Sequence, residues 1–162
     1  MSRISRGQWA MKLAQLTSQR STCCRRQVGC VMLNESGHVI STGYNGVAAG
    51  LPHCNEEDGA IDTSFDELAN HYPFACDGAN SPSGTNLDGC QAIHAEQNAL
   101  LQCKNVYEIH TVYVTTSPCM TCTKLLMNTS CQQIVFVEEY PHAQAKDLWE
   151  SAGRKWLNYS QL

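Results

Sequence analysis

Two short segments of this sequence carry side chains that could bind a metal ion and move a proton. Ile93-His94-Ala95-Glu96 offers an imidazole and a carboxylate, and Ser117-Pro118-Cys119-Met120-Thr121-Cys122 offers two thiols. Each segment opens a predicted helix, so the two cysteines, three residues apart, face one side of a first helical turn. A helix N-terminus also favours thiolates. With His94 as third ligand, a tetrahedral zinc ion keeps one position open for water, as in catalytic sites.

The carboxylate of Glu96 gives this zinc site a chemical purpose. Zinc lowers the pKa of a bound water to about 7. Glu96 is close enough to His94 in the chain to take that proton without binding the metal, and to pass it to a substrate. A closed structural zinc site and a redox dithiol are the alternatives for the cysteine pair. Both of them leave Glu96 without a function.

Helices and strands alternate around these segments. Apolar periodicity predicts helices at 8–19, 95–103, 119–128 and 143–152, and strands at 28–33, 39–42, 111–115, 134–137 and 155–157. The first two strands form a hairpin around the turn at 34–37, and helices separate the later ones. This order predicts a three-layer α/β/α fold with a central mixed sheet of five strands.

A long stretch without periodicity interrupts the pattern at about 47–91. It is rich in proline, glycine, asparagine and aspartate, with one short helical turn predicted at 66–71. Loops of this length are usually functional or tied down. We interpret it as an insertion in a single domain that covers residues 1–162.

Composition narrows the function classes. The chain has 162 residues, which suits one domain, and a net charge of −4, so no basic field is available for a nucleic-acid backbone. No apolar run approaches a membrane span, and no signal peptide is visible. The ten cysteines are therefore expected to be reduced thiols or metal ligands in a cytoplasmic protein.

Five motifs resemble those of the zinc-dependent deoxycytidylate (dCMP) deaminase family, within the cytidine-deaminase-like superfamily. They are STCCRRQVG at 21–29, TGYNG at 42–46, GLPHC at 50–54, HAEQNA at 94–99 and PCMTC at 118–122. The combination of H-x-E with P-C-x-x-C is typical of zinc nucleobase deaminases. The sequence is most similar to the phage and bacterial branch, for which the location would be the cytoplasm, or the host cytoplasm for a phage-encoded chain.

The resemblance implies hydrolysis of dCMP to dUMP and ammonia, a step towards dTTP. It implies Glu96 as the proton shuttle, with His94, Cys119 and Cys122 on the zinc ion. It implies substrate contacts from the residues Arg26, Asn45, Ala95, Ser117 and Tyr140. Asn45 could equally be a turn residue, Arg25 is a second choice for the phosphate, and the arginine pair could be a solvated surface pair. Tyr140 could be an ordinary half-buried tyrosine.

The resemblance further implies a homohexamer that dCTP activates and dTTP inhibits, with Tyr44, Gly46 and the 50–54 segment near the effector. It also implies a second, structural zinc ion held by Cys23, Cys54 and Cys90. His53 is the predicted fourth ligand, and Cys24, Cys76 and His71 are alternatives. The cysteines Cys30, Cys103 and Cys131 are interpreted as packing residues.

Two other functions fit parts of the sequence. One is deamination of a different substrate, namely cytidine, dCTP or a tRNA adenosine; the acidic composition argues against tRNA. The other is a nonenzymatic zinc module for interaction, which would have a closed coordination sphere.

Overall fold

A five-stranded mixed sheet organises the chain, as the sequence predicts. The computed structural model describes residues 1–56, 75–82 and 84–162; the helical turn predicted at 66–71 and the alternative ligand His71 lie outside this part. The strands of the sheet are β1 Gly29–Leu33, β2 Val39–Tyr44, β5 Thr111–Thr116, β6 Gln133–Glu138 and β7 Lys155–Asn158. Their order is β2-β1-β5-β6-β7, with β1 antiparallel to β2 and β5, and β5, β6 and β7 mutually parallel.

Helices cover both faces of the sheet, so the predicted three layers are confirmed. The helices are α1 Arg6–Ser18, α2 Ala95–Gln102, α3 Met120–Met127 and α4 Gln144–Ser151. On one face α1 packs its buried Ala10, Met11 and Ala14 against β1 and β6. On the other face α2, α3 and α4 pack against the sheet around Leu126 and Trp149. Every side chain of β1 is buried, because both layers press on it.

The described ends of the long insertion carry short regular elements that its composition does not suggest. Strand β3 Gly46–Val47 pairs antiparallel with β4 Ala92–Ile93, and a 3-10 turn spans Leu87–Gly89. Two-residue strands are too short to leave a periodic pattern, so the sequence did not predict this ribbon. Its second strand leads directly into His94, so the ribbon fixes the position of the backbone just before helix α2.

The packing cysteines lie where the sequence predicts them. Cys30 and Cys131 are fully buried in the core under α2, α3 and α4, and Cys103 packs against its edge. Among the described residues, no helix is long and apolar enough to cross a membrane.

Candidate active site

The two helices α2 and α3 begin side by side, and each begins at a metal-ligand residue. The backbone of His94 is extended, and its N–H donates a hydrogen bond to Oε1 of Gln97 at 2.8 Å. Cys119 occupies the equivalent position before α3, where its Sγ accepts a hydrogen bond from the Cys122 N–H at 3.5 Å. The N-terminal ends of both helix dipoles thus point to the ligand residues, where they stabilise negatively charged thiolates.

Three ligand atoms converge there. Nδ1 of His94 lies 3.5 Å from Sγ of Cys119 and 3.4 Å from Sγ of Cys122, and the three atoms all lie within 4.8 Å of one another. A tetrahedral zinc ion with ordinary Zn–N and Zn–S bonds requires N···S separations of about 3.6 Å. The residues present therefore fit a zinc ion with one position open.

The electrostatics of the cysteine pair suit a cation. The hydrogen bond from the Cys122 thiol, with help from His94, lowers the pKa of Cys119 to about 4. The same contact raises the pKa of Cys122, together with burial. One sulfur is consequently a thiolate at neutral pH, the form that binds metal, and its partner becomes one when a cation replaces the shared proton.

Glu96 lies beside this trio without belonging to it. Only 4% of its surface is exposed, and its carboxylate lies close to the Cys122 thiol. Burial is the main cause that raises its pKa to about 7. A carboxyl with this pKa exchanges protons readily near neutral pH, which is the property that a general acid–base residue requires.

A pocket of about 590 Å³, including its open mouth, leads to these residues. The five substrate residues predicted from the resemblance all line it: Arg26, Asn45, Ala95, Ser117 and Tyr140. Tyr44 and Gly46, predicted for an effector, do not line it.

The side chain of Asn45 forms hydrogen bonds to three neighbouring residues at the pocket. Its Oδ1 accepts hydrogen bonds from the Ser21 hydroxyl at 2.6 Å and the Val28 N–H at 2.8 Å. Its Nδ2 donates to the Arg26 carbonyl at 2.7 Å. The side-chain oxygen has no capacity left, so a substrate could meet only the remaining N–H of the amide. Asn45 is therefore a structural residue with one hydrogen to offer.

Two neighbouring arginines have different surroundings. Nη2 of Arg26 forms an ion pair with Glu138 at 2.7 Å, at the end of strand β6. Nη1 of Arg25 instead donates to three backbone carbonyls, of Gly78, Ser81 and Thr85. Both arginines line the pocket.

Four cysteines meet next to the pocket. Cys54 and Cys90 are near enough to Cys76 to help lower its pKa, and Cys23 is near enough to Cys54 and Cys90 to raise theirs. Burial raises the pKa of Cys54 to about 11. Burial would also raise that of Cys76, but backbone N–H groups and the two thiols donate to its sulfur and lower its pKa instead. Three predicted cysteines are thus brought near two of the alternatives, Cys76 and Cys24; the pKa of Cys24 is raised mainly by burial, and Cys23 and Cys76 add to it.

His53 lies apart from this cluster. Its side chain is exposed, and its backbone N–H donates to Glu56 at 3.2 Å. The next residue but one, Asn55, donates through Nδ2 to the Ser21 carbonyl at 3.1 Å. These bonds hold the segment of the buried Cys54 next to Ser21, whereas His53 is exposed to solvent.

Several residues in or next to the pocket were not predicted from the sequence. Gly84, Leu87 and Thr116 line the pocket, and Glu138 is the partner of Arg26. Their segments carry no motif that would have identified them. Gly43 did give a signal: a glycine inside a strand indicates a close approach, and a Cβ there would lie 2.3 Å from the Ala95 carbonyl. Strand β2 therefore packs directly against the start of helix α2.

Fold and site together define a zinc-binding deaminase domain, and comparison with known proteins identifies the family. Residues 4–138 match the family described as the cytidine and deoxycytidylate deaminase zinc-binding region. The chain belongs to this family, and zinc is its metal.

Several relatives within the family carry the name deoxycytidylate deaminase. The one from Mycobacterium phage D29 is 33% identical over 140 residues, which are 86% of this chain and 99% of the relative. That of Saccharomyces cerevisiae is 35% identical over 132 residues, 80% of this chain and 36% of the relative. That of Schizosaccharomyces pombe is 32% identical over 154 residues, 92% of this chain and 42% of the relative. The chain thus spans about two fifths of the length of the yeast relatives.

Solved structures show the same fold. The dCMP deaminase of cyanophage S-TIM5 in apo form superposes with a TM-score of 0.66 at 21% identity, covering 97% of this chain and 99% of that one. Its complex with dCMP and dUMP gives a TM-score of 0.67 at 24% identity, covering 98% and 99%. The likeness confirms the predicted cytidine-deaminase-like architecture.

Proposed function

We propose that this chain deaminates dCMP hydrolytically to dUMP and ammonia. The observation that carries the proposal is a buried carboxyl, Glu96, beside three zinc-ligand atoms in a pocket that two arginines also line. A zinc trio with a buried acid suits hydrolysis of an amino group on a base. Cations in the lining suit a 5′-phosphate. The phage D29 relative, matched over 99% of its length, supports the same substrate by its name.

Glu96 is the proposed proton shuttle. The zinc ion, when bound, supplies a water with a pKa near 7. Glu96 takes a proton from the attacking water and delivers it to the ring nitrogen, and then moves the second proton to the leaving amine. Its burial keeps bulk water from competing for these protons, and its raised pKa lets it both accept and donate.

The opposite end of the pocket is the proposed phosphate site. Arg26 contributes the charge, and its ion pair with the exposed Glu138 fixes its position at the rim. Ser117 and Tyr140 are joined, because the Tyr140 N–H donates to the Ser117 hydroxyl at 2.7 Å. Ala95 and the free hydrogen of Asn45 border the space between base and phosphate. The arrangement supports recognition of one nucleotide by side chains from separate elements.

A side-by-side assay tests the substrate. We expect ammonia release from dCMP to exceed that from deoxycytidine, cytidine and dCTP in kcat/KM. Replacing Arg26 by methionine should remove the advantage of dCMP over deoxycytidine. Replacing the exposed Arg20 in the same way is the matched control. Equal rates on dCMP and dCTP would show that the phosphate site is open. No turnover of any of the four substrates by zinc-loaded protein would leave the interaction module as the better hypothesis.

We further infer that a second zinc ion orders the loop beside the pocket, with Cys76 in place of His53 as the fourth ligand. The four sulfurs already lie together, and the segment after Cys76 closes on itself through a hydrogen bond from the Gly78 N–H to the Gly89 carbonyl at 2.9 Å. The sulfurs must draw closer to bind one ion, because among the described residues only the catalytic trio has all its ligand atoms within 4.8 Å. A site closed by four cysteine ligands is typical of structural zinc.

Metal analysis of the intact protein tests this second site. We expect two zinc ions per chain, falling to one in Cys76→Ser, while His53→Ala keeps both. Cys103→Ser is the control, since its thiol lies at the core edge. One zinc ion in the unmodified protein would reject the site, and loss of zinc in His53→Ala would restore the original ligand set.

We propose that dCTP activates and dTTP inhibits the enzyme through the turn at Tyr44 and Gly46 and the adjoining 50–54 segment. The route is short: Gly46 and Val47 pair with Ala92 and Ile93, which lead into His94. The Tyr44 carbonyl also accepts a hydrogen bond from Asn98 of helix α2 at 2.8 Å. An effector seated here would act on both supports of that helix. Activity that is independent of both nucleotides at subsaturating dCMP would reject the regulation.

Assembly, domain extent and location are part of the same proposal. We propose a homohexamer, supported by exposed apolar side chains on and after helix α2 at Leu101 and Tyr107. We propose that residues 1–162 form one domain, because the sheet includes strands from both halves of the chain. Free cysteines that pack or bind zinc suit the cytoplasm, or the host cytoplasm for a phage gene. Light scattering of the purified protein gives the assembly, and a monomer would reject it.

A further inference from the structure

The loop between Cys76 and Cys90 forms one wall of the pocket with little regular structure of its own. It contributes Gly84 and Leu87 to the lining. The backbone at Gly84 has a φ of +81°, and a Cβ there would lie 3.1 Å from the hydroxyl of Tyr140 and 3.1 Å from Nε2 of His142. The loop therefore rests directly on the side chains that follow strand β6.

Arg25 connects this loop to the body of the protein by hydrogen bonds. Its Nη1 donates to the carbonyl of Gly78 at 2.9 Å, of Thr85 at 3.3 Å and of Ser81 at 3.4 Å. These residues are more than 50 positions away in the chain. Bonds from a charged donor are stronger than those between neutral groups. Three carbonyls of one loop turned to one nitrogen indicate a fixed loop position.

The neighbouring arginine does not share this role. Arg26 pairs with a carboxylate at the rim, whereas the guanidinium of Arg25 donates to neutral backbone oxygens. A guanidinium edge used by three carbonyls has less capacity for an anion. Of the two adjacent residues, Arg26 is thus the one proposed to meet the substrate phosphate, and Arg25 is the one that binds the protein backbone.

We propose that Arg25 is a positioning residue that holds the 78–85 loop against Tyr140, so that the pocket wall is formed before the substrate arrives. The proposal rests on the proposed function for its kinetic consequence but not for its structural one. Without Arg25 the wall would be formed only part of the time. If that fraction falls to about a tenth, the apparent affinity falls about tenfold, because only the formed state binds. The chemistry at Glu96 would continue once the substrate is bound.

The test compares Arg25→Met, Arg25→Lys and Arg26→Met in the full-length, zinc-loaded protein. Hydrogen exchange followed by mass spectrometry reports on the loop, in which the amides of Ala79, Ser81 and Thr85 are hydrogen-bonded. In Arg25→Met we expect faster exchange in the loop and unchanged exchange in β5 and β6. We expect KM to rise about tenfold for dCMP and for deoxycytidine alike, with kcat within about threefold. Arg25→Lys, which keeps a donor, should lie between.

Arg26→Met should give the opposite pattern, with a loss for dCMP only and no change in loop exchange. Unchanged loop exchange in Arg25→Met, with a loss confined to dCMP, would overturn the proposal and make Arg25 a phosphate ligand. A fall in kcat at unchanged KM would also overturn it. If the unmodified protein does not act on dCMP, the proposed function fails, but the exchange experiment still decides the role of Arg25. If Arg25→Met does not fold, Arg25→Lys carries both measurements.

Discussion

Replacing Glu96 by glutamine should abolish most of the deaminase activity and leave the zinc ion in place. The carboxylate lies beside the trio of His94, Cys119 and Cys122 but supplies none of the converging ligand atoms. Glutamine has the same shape and no proton to exchange. The substitution therefore removes the proton shuttle alone.

The size of the effect follows from the burial of Glu96. Positioned acid–base groups contribute about 10²–10⁴-fold to the rate, which corresponds to about 3 to 5 kcal/mol of activation free energy. We expect the upper part of this range, because with 4% of Glu96 exposed no solvent water can replace its carboxylate. Burial also makes the charged form of Glu96 costly, since it raises the pKa to about 7. A neutral amide avoids that cost, so the melting temperature should not fall.

The assay is ammonia release from saturating dCMP, with zinc measured on the same sample. Glu150→Gln on helix α4 is the matched control, because the same chemical change occurs there on an exposed residue. It should keep full activity. A Glu96→Gln protein that keeps more than about a tenth of the rate would refute the shuttle, since the expected loss is at least about a hundredfold. Loss of zinc in this variant would instead make Glu96 part of the metal site.

Three further results are expected. Gly43→Ala should lower the free energy of unfolding in urea by about 1–3 kcal/mol, because its Cβ would lie 2.3 Å from a carbonyl at the start of α2. Gly7→Ala is the control and should not lower it, because the nearest atom there is 3.5 Å away. Equal stability of the two variants would contradict the close packing at Gly43. Asn45→Ala should cost about 1–3 kcal/mol, because the Val28 N–H loses its acceptor, whereas the Ser21 hydroxyl keeps the backbone carbonyl of residue 45 at 2.9 Å. A loss of activity without any loss of stability would make it a substrate ligand only. Chelation of zinc should abolish activity and added zinc restore it, and activity that survives complete removal would exclude the metal from the reaction.

The zinc trio was the most predictable part of the site, because its information is local. His94 and Cys119 each stand at a helix start, and the three-residue spacing to Cys122 needs no knowledge of the fold. The same is true of the sheet, since strands such as β1 and β5 are largely apolar and helices separate the later strands. Both predictions, the zinc ion and the mixed five-stranded sheet, are confirmed.

The loop side of the pocket could not be predicted in this way. Cys76 lies 14 positions before Cys90 in a segment without periodicity, so nothing in the sequence distinguished it from Cys24 or His53. The sequence likewise ranked Arg25 and Arg26 only by their neighbours. In the structure Arg26 faces the carboxylate of Glu138, whereas Arg25 faces three backbone carbonyls of the loop. This difference depends on tertiary contacts that the sequence does not reveal.

This difference in predictability has a physical origin that bears on how the site works. The chemical half of the pocket is built from helix starts and strand ends that are buried in the core, so its geometry is stabilised by the whole fold. The loop wall of the pocket is instead held by one guanidinium and lies beside a cluster of sulfurs. Substitutions that disturb the packing of the chemical half should therefore change kcat and stability together, whereas those in the loop wall should change KM while the core remains intact.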